Sequence, residues 1–201
     1  IDKEEALAGI VTQARQIEEV ANKMLDLGKI DNNKLQISIE RFDLSTLISD
    51  ISKAARLSVN ENVSIKTELP ESIEIEADKV RIGQVIRNIL NNAIKFTHSG
   101  SILITSSLND DNMVQVRVSD TGIGIHPEIL PKLFNKFATK SHRRENLDGN
   151  GLGLYICKGI IDAHDGNIQA YNNPDGGATI LFSIPMSHHK NNTKFQESLF
   201  N

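Results

Sequence analysis

Three asparagines and a lysine lie within one stretch of the sequence, Asn88–Phe96, where they could hold a metal ion and a phosphate group. Asn88 and Asn92 are four residues apart, so their amides project from one face of a helix, and Lys95 follows three residues later. Amide oxygens are suitable Mg²⁺ ligands, and a lysine beside them supplies a positive charge for phosphate. Asparagine is a mediocre helix former, so this density indicates a function, although a solvated polar face explains the spacing equally well.

Two glycine-rich segments follow, in positions where the backbone could approach a ligand closely. The first, Asp120–Ile125, comes directly after a predicted strand, and its carboxylate could accept a hydrogen bond from an exocyclic amine. The second, Gly149–Leu154, precedes a predicted helix whose free N–H groups and positive dipole end could bind phosphate. A plain turn is the alternative for the first segment. Neither segment has the pattern of a dinucleotide-binding fold or of a P-loop.

The residues between these segments predict alternating helices and strands that would bring them together. Asp43 and Asp78 can each cap a helix, and the second of these helices runs through Lys95. Strands are predicted near 37–39, 63–67, 73–75, 101–108, 113–119, 167–171 and 178–184, and further helices at 127–137 and 152–164. This mixture predicts an α+β fold in which helices cover one face of a largely antiparallel sheet.

The first segment carries an apolar seam that is typical of a coiled coil or a helical bundle. Its apolar residues alternate at spacings of three and four: Leu7, Ile10, Ala14, Ile17, Ala21 and Met24. One helix cannot bury such a stripe alone, so we expect a partner helix; an amphipathic helix packed on the rest of the chain is the alternative. Gly28 and the polar residues after it break the pattern. We therefore predict a bundle-type helix over 1–30, a folded domain over 31–186 and a polar tail over 187–201.

Composition excludes several classes of partner. The 201 residues carry a net charge of −4 without a basic stripe, so we expect no nucleic acid partner. Cys157 is the only cysteine and cannot form an intramolecular disulfide, which fits a reducing compartment. No stretch of about 18 apolar residues is present, so we expect no membrane contact by this chain. These features predict a cytoplasmic domain and leave open a membrane anchor elsewhere in a longer protein.

Taken in order, the chemical segments resemble the nucleotide-binding boxes of sensor histidine kinases of two-component systems. Asn88–Phe96 resembles the N box, Asp120–Ile125 the first glycine box, Phe134–Phe137 the F box and Gly149–Leu154 the second glycine box. In isolation, the aromatic pair of the third segment would more often belong to a hydrophobic core. The resemblance implies a two-layer α/β sandwich, the Bergerat-type ATP-binding fold shared with gyrase, MutL proteins and heat-shock chaperone ATPases, preceded by one bundle-type helix.

The resemblance also implies roles for individual residues in binding ATP and Mg²⁺. Asn92 would hold Mg²⁺ on the triphosphate with help from Asn88, and Lys95 would contact phosphate. Asp120 would accept a hydrogen bond from the adenine amine. The other residues implied at the nucleotide are Phe96, Gly122, Gly124, Gly149, Gly151, Leu152, Gly153 and, near the adenine edge, Thr179. The glycines of the second box would hinge a lid over residues 138–150.

Two positions separate this chain from related enzymes. Related ATPases carry a water-activating glutamate where this chain has Asn88. An amide cannot deprotonate water, so transfer to a protein histidine fits better than hydrolysis. Many kinases have an arginine shortly after the F box, and here Lys140 would take that role on the γ-phosphate.

The phosphoacceptor itself is expected outside this chain. Met24–Leu27 resembles the end of the second helix of the dimerisation and phosphotransfer region. All six histidines lie outside that helix, and none is followed by an acceptor-like motif. We therefore predict an ATP-binding catalytic domain that phosphorylates a histidine on an upstream helix. A response-regulator receiver domain would be the downstream partner, and the full-length protein would be a homodimer.

Two other classes of function remain open on the sequence. An ATP-hydrolysing conformational machine of the same superfamily would turn over ATP without an acceptor; a serine-directed kinase is a variant that the bundle-like helix disfavours. A nucleotide-sensing module would bind ATP but form no phosphohistidine on a separately supplied acceptor helix.

Overall fold

A five-stranded sheet with helices packed on one face organises the residues that the computed structural model describes, which are 3–109, 111–138 and 151–187. The helices are α1 (Lys3–Asp31), α2 (Leu44–Arg56), α3 (Lys79–Phe96) and α4 (Gly153–Ala163). The strands are β1 (Glu40–Asp43), β2 (Val63–Glu68), β3 (Glu74–Ala77), β4 (Gly100–Leu108), β5 (Met113–Asp120), β6 (Asn167–Asn172) and β7 (Ala178–Pro185).

The strand order of the main sheet is β2-β4-β5-β7-β6, and β1 pairs with β3 in a separate two-stranded sheet. Only β2 and β4 run parallel; the other pairs are antiparallel. The predicted α+β fold and two-layer sandwich are confirmed.

The core lies between this sheet and α2, α3 and α4. Alternate residues of the central strands point into it, because successive side chains of a strand lie on opposite faces. From β4, β5 and β7 these are Ile102, Ile104, Val114, Val116, Val118, Ile180, Phe182 and Ile184, and from the helices Ile48, Ile82, Ile86, Ile89, Ile156 and Ile160. Even-numbered residues of β5 and β7 therefore face the helices.

Side-chain caps begin the two helices as predicted. Asp43 accepts hydrogen bonds from the N–H groups of Ser45 and Thr46, and Asp78 accepts one from Arg81. His164, at the end of α4, is 2% exposed, and its Nε2 accepts a hydrogen bond from the Asp78 N–H at 3.0 Å. This bond ties the end of α4 to the start of α3, so it fixes the two helices that carry the predicted site.

Helix α1 leaves its apolar seam uncovered. Leu7, Ile10, Ile17 and Met24 are 58, 65, 70 and 61% exposed. The seam is thus not packed on the described part of the domain, which favours the expected partner helix over the alternative. No helix among the described residues has the length and apolar character needed to cross a membrane.

The last turns of α1 dock on the domain through specific contacts. The buried carboxylate of Asp26 accepts hydrogen bonds from Arg81 at 2.7 Å and from Gln84 at 2.9 Å. Asp31 accepts hydrogen bonds from the Lys136 ammonium and from the Tyr155 hydroxyl, the latter at 2.7 Å. These contacts join α1 to α3, to α4 and to the segment before the predicted lid.

Three predicted elements differ from the structure. Helix α1 continues through Gly28 to Asp31, because one glycine costs only about 1 kcal/mol and docking contacts lie on both sides of it, at Asp26 and at Asp31. The strand expected at 37–39 lies at β1, where pairing with β3 sets its position.

The helix expected over 127–137 is only a short 3₁₀ turn, Leu130–Lys132. Pro131 lies inside it, lacks an N–H group and disfavours helical backbone at the residue before it.

Candidate functional site

The predicted metal-binding helix face meets the start of α4. Asn88, Asn92 and Lys95 are all half-buried on α3. Gly153, the first residue of α4, lies next to Asn88, and an added Cβ would make an ordinary van der Waals contact with the amide carbon at 3.8 Å. The amide of Asn92 makes no hydrogen bond to any other described residue. The positive end of the α4 dipole therefore lies beside the amide of Asn88, an arrangement suited to phosphate and its metal ion.

A buried thiol packs behind Asn88. Cys157 lies in the core on α4, and burial raises the pKa of its thiol to about 12, while a hydrogen bond with the Asn88 side chain acts in the opposite direction. The thiol also lies 3.9 Å from the carbonyl of Val85. Cys157 therefore stays protonated at neutral pH and supports α3 without reacting.

The carboxylate of Asp120 is held by one of its two oxygens. Oδ1 accepts hydrogen bonds from the N–H of Gly122 at 2.9 Å and from the N–H of Ala178 at 3.2 Å. Oδ2 accepts none from the described residues. Because a carboxylate can only accept, this free oxygen is oriented to receive a ligand N–H.

The first glycine segment lies directly against the end of α3. A Cβ on Gly122 would lie 2.2 Å from the carbonyl oxygen of Phe96, and the N–H of Ile123 donates to that same oxygen at 3.2 Å. Only glycine permits this approach. The structure thus brings the segment that carries Asp120 against the end of α3, the helix predicted to bind the metal ion, although Asp120 and Asn92 are 28 positions apart in the chain.

The residues on either side of the predicted lid are also joined. The N–H of Phe137 donates to the carbonyl of Gly151 at 3.1 Å, and Gly151 has φ +62°. Leu152 is 4% exposed and packs in the core, so only its backbone can face a nucleotide. Phe96 is 37% exposed, and the Lys95 ammonium lies 5.5 Å from its ring centroid. Lys140 and Gly149 lie outside the described residues.

The adenine contact predicted for Thr179 is corrected by its placement. Thr179 pairs with Ser119 in register, and their hydroxyls are 2.7 Å apart. Both residues lie on the sheet face opposite the helices, since the adjacent pair Val118 and Ile180 faces the core. Ala178, not Thr179, therefore shares the face of Asp120.

Sequence reasoning missed two asparagines, one that ends β6 and one that begins the turn to β7. The Asn172 amide donates to the Ile125 carbonyl at 2.8 Å and accepts from the Ile125 N–H at 2.7 Å. Asn173 donates from Nδ2 to the main-chain oxygen of Asp120 at 3.0 Å. In the sequence both residues look like ordinary turn formers, and no local pattern connects them to the first glycine box.

A cleft of about 660 Å³ lies between the end of α1, the segment before the lid and α4, away from Asp120. Its charged groups pair with one another, Asp31 with Lys136 and Lys158 with Asp162. Because these charges are mutually neutralised, the cleft has no preference for a triphosphate. The predicted nucleotide residues instead lie on the side of Asp120 and α3, where acceptors without a partner among the described residues and the start of α4 are found.

Comparison with known proteins identifies the family. A family model described as histidine kinase-, DNA gyrase B- and HSP90-like ATPase matches residues 77–188, more than half of the chain. The chain belongs to this ATPase family. The matched range contains every segment that the sequence predicted at the nucleotide, from the N box to the strand that carries Thr179.

Within the ATPase family, several relatives are named as sensor kinases or histidine kinases. The autoinducer 2 sensor kinase/phosphatase LuxQ of Vibrio harveyi is 32% identical over 176 residues, which cover 83% of this chain and 20% of that protein. The catalytic domain of the histidine kinase ThkA is 33% identical, with a TM-score of 0.65, over 75% of this chain and 99% of that domain.

Full-length ShkA in complex with AMPPNP has the same fold, with a TM-score of 0.79 at 24% identity over 94% of this chain and 40% of that one. The chain spans about a fifth of the length of the curated relatives it matches first. It is a catalytic domain of the histidine kinase type, as predicted.

Proposed function

We propose that this domain binds ATP together with Mg²⁺ and transfers the γ-phosphoryl group to a histidine on an upstream helix of a longer protein. From there the phosphoryl group would pass to an aspartate of a response regulator. The observation that carries the proposal is the carboxylate of Asp120, held by two backbone N–H groups on Oδ1, while Oδ2 accepts no hydrogen bond from the described residues. An acceptor-only oxygen fits the 6-amino group of adenine and repels the 6-oxo group of guanine.

The phosphate end of the nucleotide would lie between α3 and the start of α4. The amide oxygen of Asn92 is uncommitted among the described residues and fits Mg²⁺, which prefers oxygen ligands and usually retains waters and phosphate oxygens. Asn88 is engaged with Cys157 and would be the secondary ligand. When bound, the ion would neutralise charge that develops on the transferred phosphoryl group. Lys95, and Lys140 outside the described residues, would add positive charge.

Transfer to a protein side chain is favoured over hydrolysis by the chemistry at Asn88. Its amide lies near the phosphate-binding end of α4 but has no basic lone pair with which to activate water. The base for the phosphoacceptor would come from the acceptor helix itself.

The exposed seam of α1 supports a bundle with a second copy of this helix, and hence a homodimeric kinase. Because the reaction consumes ATP, we place the domain in the cytoplasm, whether or not the longer protein is anchored in a membrane. The domain boundary near residue 30 belongs to the same proposal, since α1 is then the last helix of the dimerisation region.

Calorimetric titration of the purified chain with ATP and Mg²⁺ tests the nucleotide site. In Asp120→Asn, the two N–H donors hold the amide oxygen at the Oδ1 position, so the NH₂ group must face the adenine amine as a second donor. We expect ATP affinity to fall about 10- to 100-fold, as for loss of a charged hydrogen bond, with improved relative binding of GTP.

Asp165→Asn is the matched control for the lost charge. Asp165 is exposed and has φ +54°, a conformation that asparagine tolerates, so ATP affinity should be unchanged. Equal ATP affinity in wild-type and Asp120→Asn protein would refute the adenine site.

The transfer step needs a separate acceptor. A protein that supplies the upstream helix with its histidine should acquire acid-labile phosphate from ATP when mixed with this chain and Mg²⁺. Steady ATP hydrolysis without any phosphohistidine would instead identify an ATPase.

A further inference from the structure

The turn Asn172–Gly177 is a support for Asp120, packed against its main chain from behind. The Asn173 Nδ2 donates to the Asp120 carbonyl oxygen at 3.0 Å. Gly177 approaches the same oxygen so closely that an added Cβ would lie 2.0 Å from it. The carboxylate is held from the front by the N–H groups of Gly122 and Ala178. Asp120 is therefore fixed on both sides.

The orientation of the Asn173 amide follows from the polarity of its partners. The Asp120 carbonyl can only accept, so the NH₂ group must face it. The amide oxygen then accepts from the Thr179 hydroxyl at 2.6 Å. Since Thr179 has one hydroxyl hydrogen, the hydroxyl of Ser119 must donate to Thr179, across 2.7 Å. A chain of hydrogen bonds on the outer face of the sheet thus holds Asn173 in a single orientation.

We propose that Asn173 is a positioning residue for base selection: it holds the Asp120 backbone so that the free carboxylate oxygen meets the 6-amino group of the purine. This inference rests on the proposed role of Asp120 in binding adenine. Asn173 does not touch the nucleotide. Loosening it lets the Asp120 backbone shift and rotate, so the acceptor is less well placed to favour an amino over an oxo group.

The test is the ratio of dissociation constants for GTP and ATP, measured by calorimetry with Mg²⁺ for each variant. Asn173→Asp keeps the size of the side chain and its acceptor for Thr179, but it cannot donate to the Asp120 carbonyl. We expect the ratio to fall about five- to tenfold in Asn173→Asp and in Asn173→Ala. A general loss of folding, or the added negative charge, would weaken both nucleotides alike and leave the ratio unchanged.

Two variants on the outer face complete the test, one as a control and one as a weaker perturbation of Asn173. Ser119→Ala removes the far end of the chain but leaves Thr179 donating to Asn173, so the ratio should stay within about twofold of wild type. Thr179→Val removes the group that orients Asn173 while keeping its donor, and a smaller fall of about two- to threefold is expected. Thermal unfolding of each variant verifies that the measured protein is folded.

An unchanged ratio in both Asn173 variants, with Asp120→Asn lowering it, would overturn the inference and leave the adenine site standing. A wild-type ratio near one, or one that Asp120→Asn leaves unaltered, would overturn the adenine site and the role of Asn173 with it.

Discussion

Replacing Gly177 by alanine is expected to displace Asp120 and weaken ATP binding, whereas Gly176→Ala should not. Both glycines lie in the turn between β6 and β7 at positive φ, +81° for Gly177 and +98° for Gly176. An added Cβ at Gly177 would lie 2.0 Å from the Asp120 carbonyl oxygen, but at Gly176 it would meet no atom of the described residues within 4 Å. Both substitutions place alanine at a positive φ, but only Gly177→Ala brings a Cβ against the Asp120 carbonyl oxygen.

The strain of alanine at positive φ costs about 1–2 kcal/mol in either variant. At about 2–4 °C per kcal/mol for a chain of this size, both melting temperatures should fall by a few degrees. At Gly177 the separation must also grow from 2.0 Å to at least 3.0 Å, the closest that real Cβ atoms approach. Either the turn or the Asp120 backbone must move by that difference.

A movement of this size would break the hydrogen bond proposed between Oδ2 and the adenine amine. A hydrogen bond to a charged group contributes about 1.5–3 kcal/mol, so ATP affinity should fall about 10- to 100-fold in Gly177→Ala. Gly176→Ala should keep ATP affinity within about twofold of wild type, because its Cβ points into open space.

Calorimetric titration with ATP, together with thermal unfolding by circular dichroism, measures both effects. If folded Gly177→Ala binds ATP as tightly as Gly176→Ala, the turn does not control Asp120 and the reasoning is refuted. Equal loss of affinity in the two variants would attribute the effect to strain and not to the close contact.

Three further predictions concern other parts of the molecule. Hydrogen bonds from Lys136 and, to a smaller extent, from Tyr155 lower the pKa of Asp31. The stabilisation by this carboxylate is therefore present above pH 3.8 and is lost as the pH falls below that value. The urea unfolding curves of wild type and Asp31→Asn should accordingly converge on acidification. Burial raises the pKa of Cys157 to about 12, so a disulfide reagent at pH 8 should modify it only on global unfolding, and rapid labelling of native protein would contradict this. Burial alone would raise the pKa of Asp43, but its hydrogen bonds outweigh burial and lower the pKa. Asp43→Ala should therefore lower the free energy of unfolding by about 1–2 kcal/mol at neutral pH and by progressively less below pH 3.8. Denaturant unfolding at several pH values measures this loss.

The features that the sequence predicted well are local ones. Asp43 and Asp78 cap their helices because a cap depends on the two or three residues that follow it. The central strands were found because period-two alternation in β4 and β5 is visible in the chain itself. The order of the four boxes also led to the ATPase family without any contact information.

One correction could have been read from the same alternation. In β7 the apolar residues Ile180, Phe182 and Ile184 occupy even positions, which places Thr179 on the other face of the sheet. The family resemblance implied an adenine contact for Thr179, whereas the alternation of the strand places Ala178 on the face that Asp120 occupies.

By itself, the sequence determined most of the elements, the two helix caps and the order of the boxes that resemble an ATP site, because these depend on residues close together in the chain. The tertiary structure alone decided which groups meet. Asn173 supports Asp120 across 53 residues, and Asp31 binds Lys136 across 105. Such contacts arise from strand register and helix docking. The residues around each partner in the sequence give no indication of which distant residue it will contact.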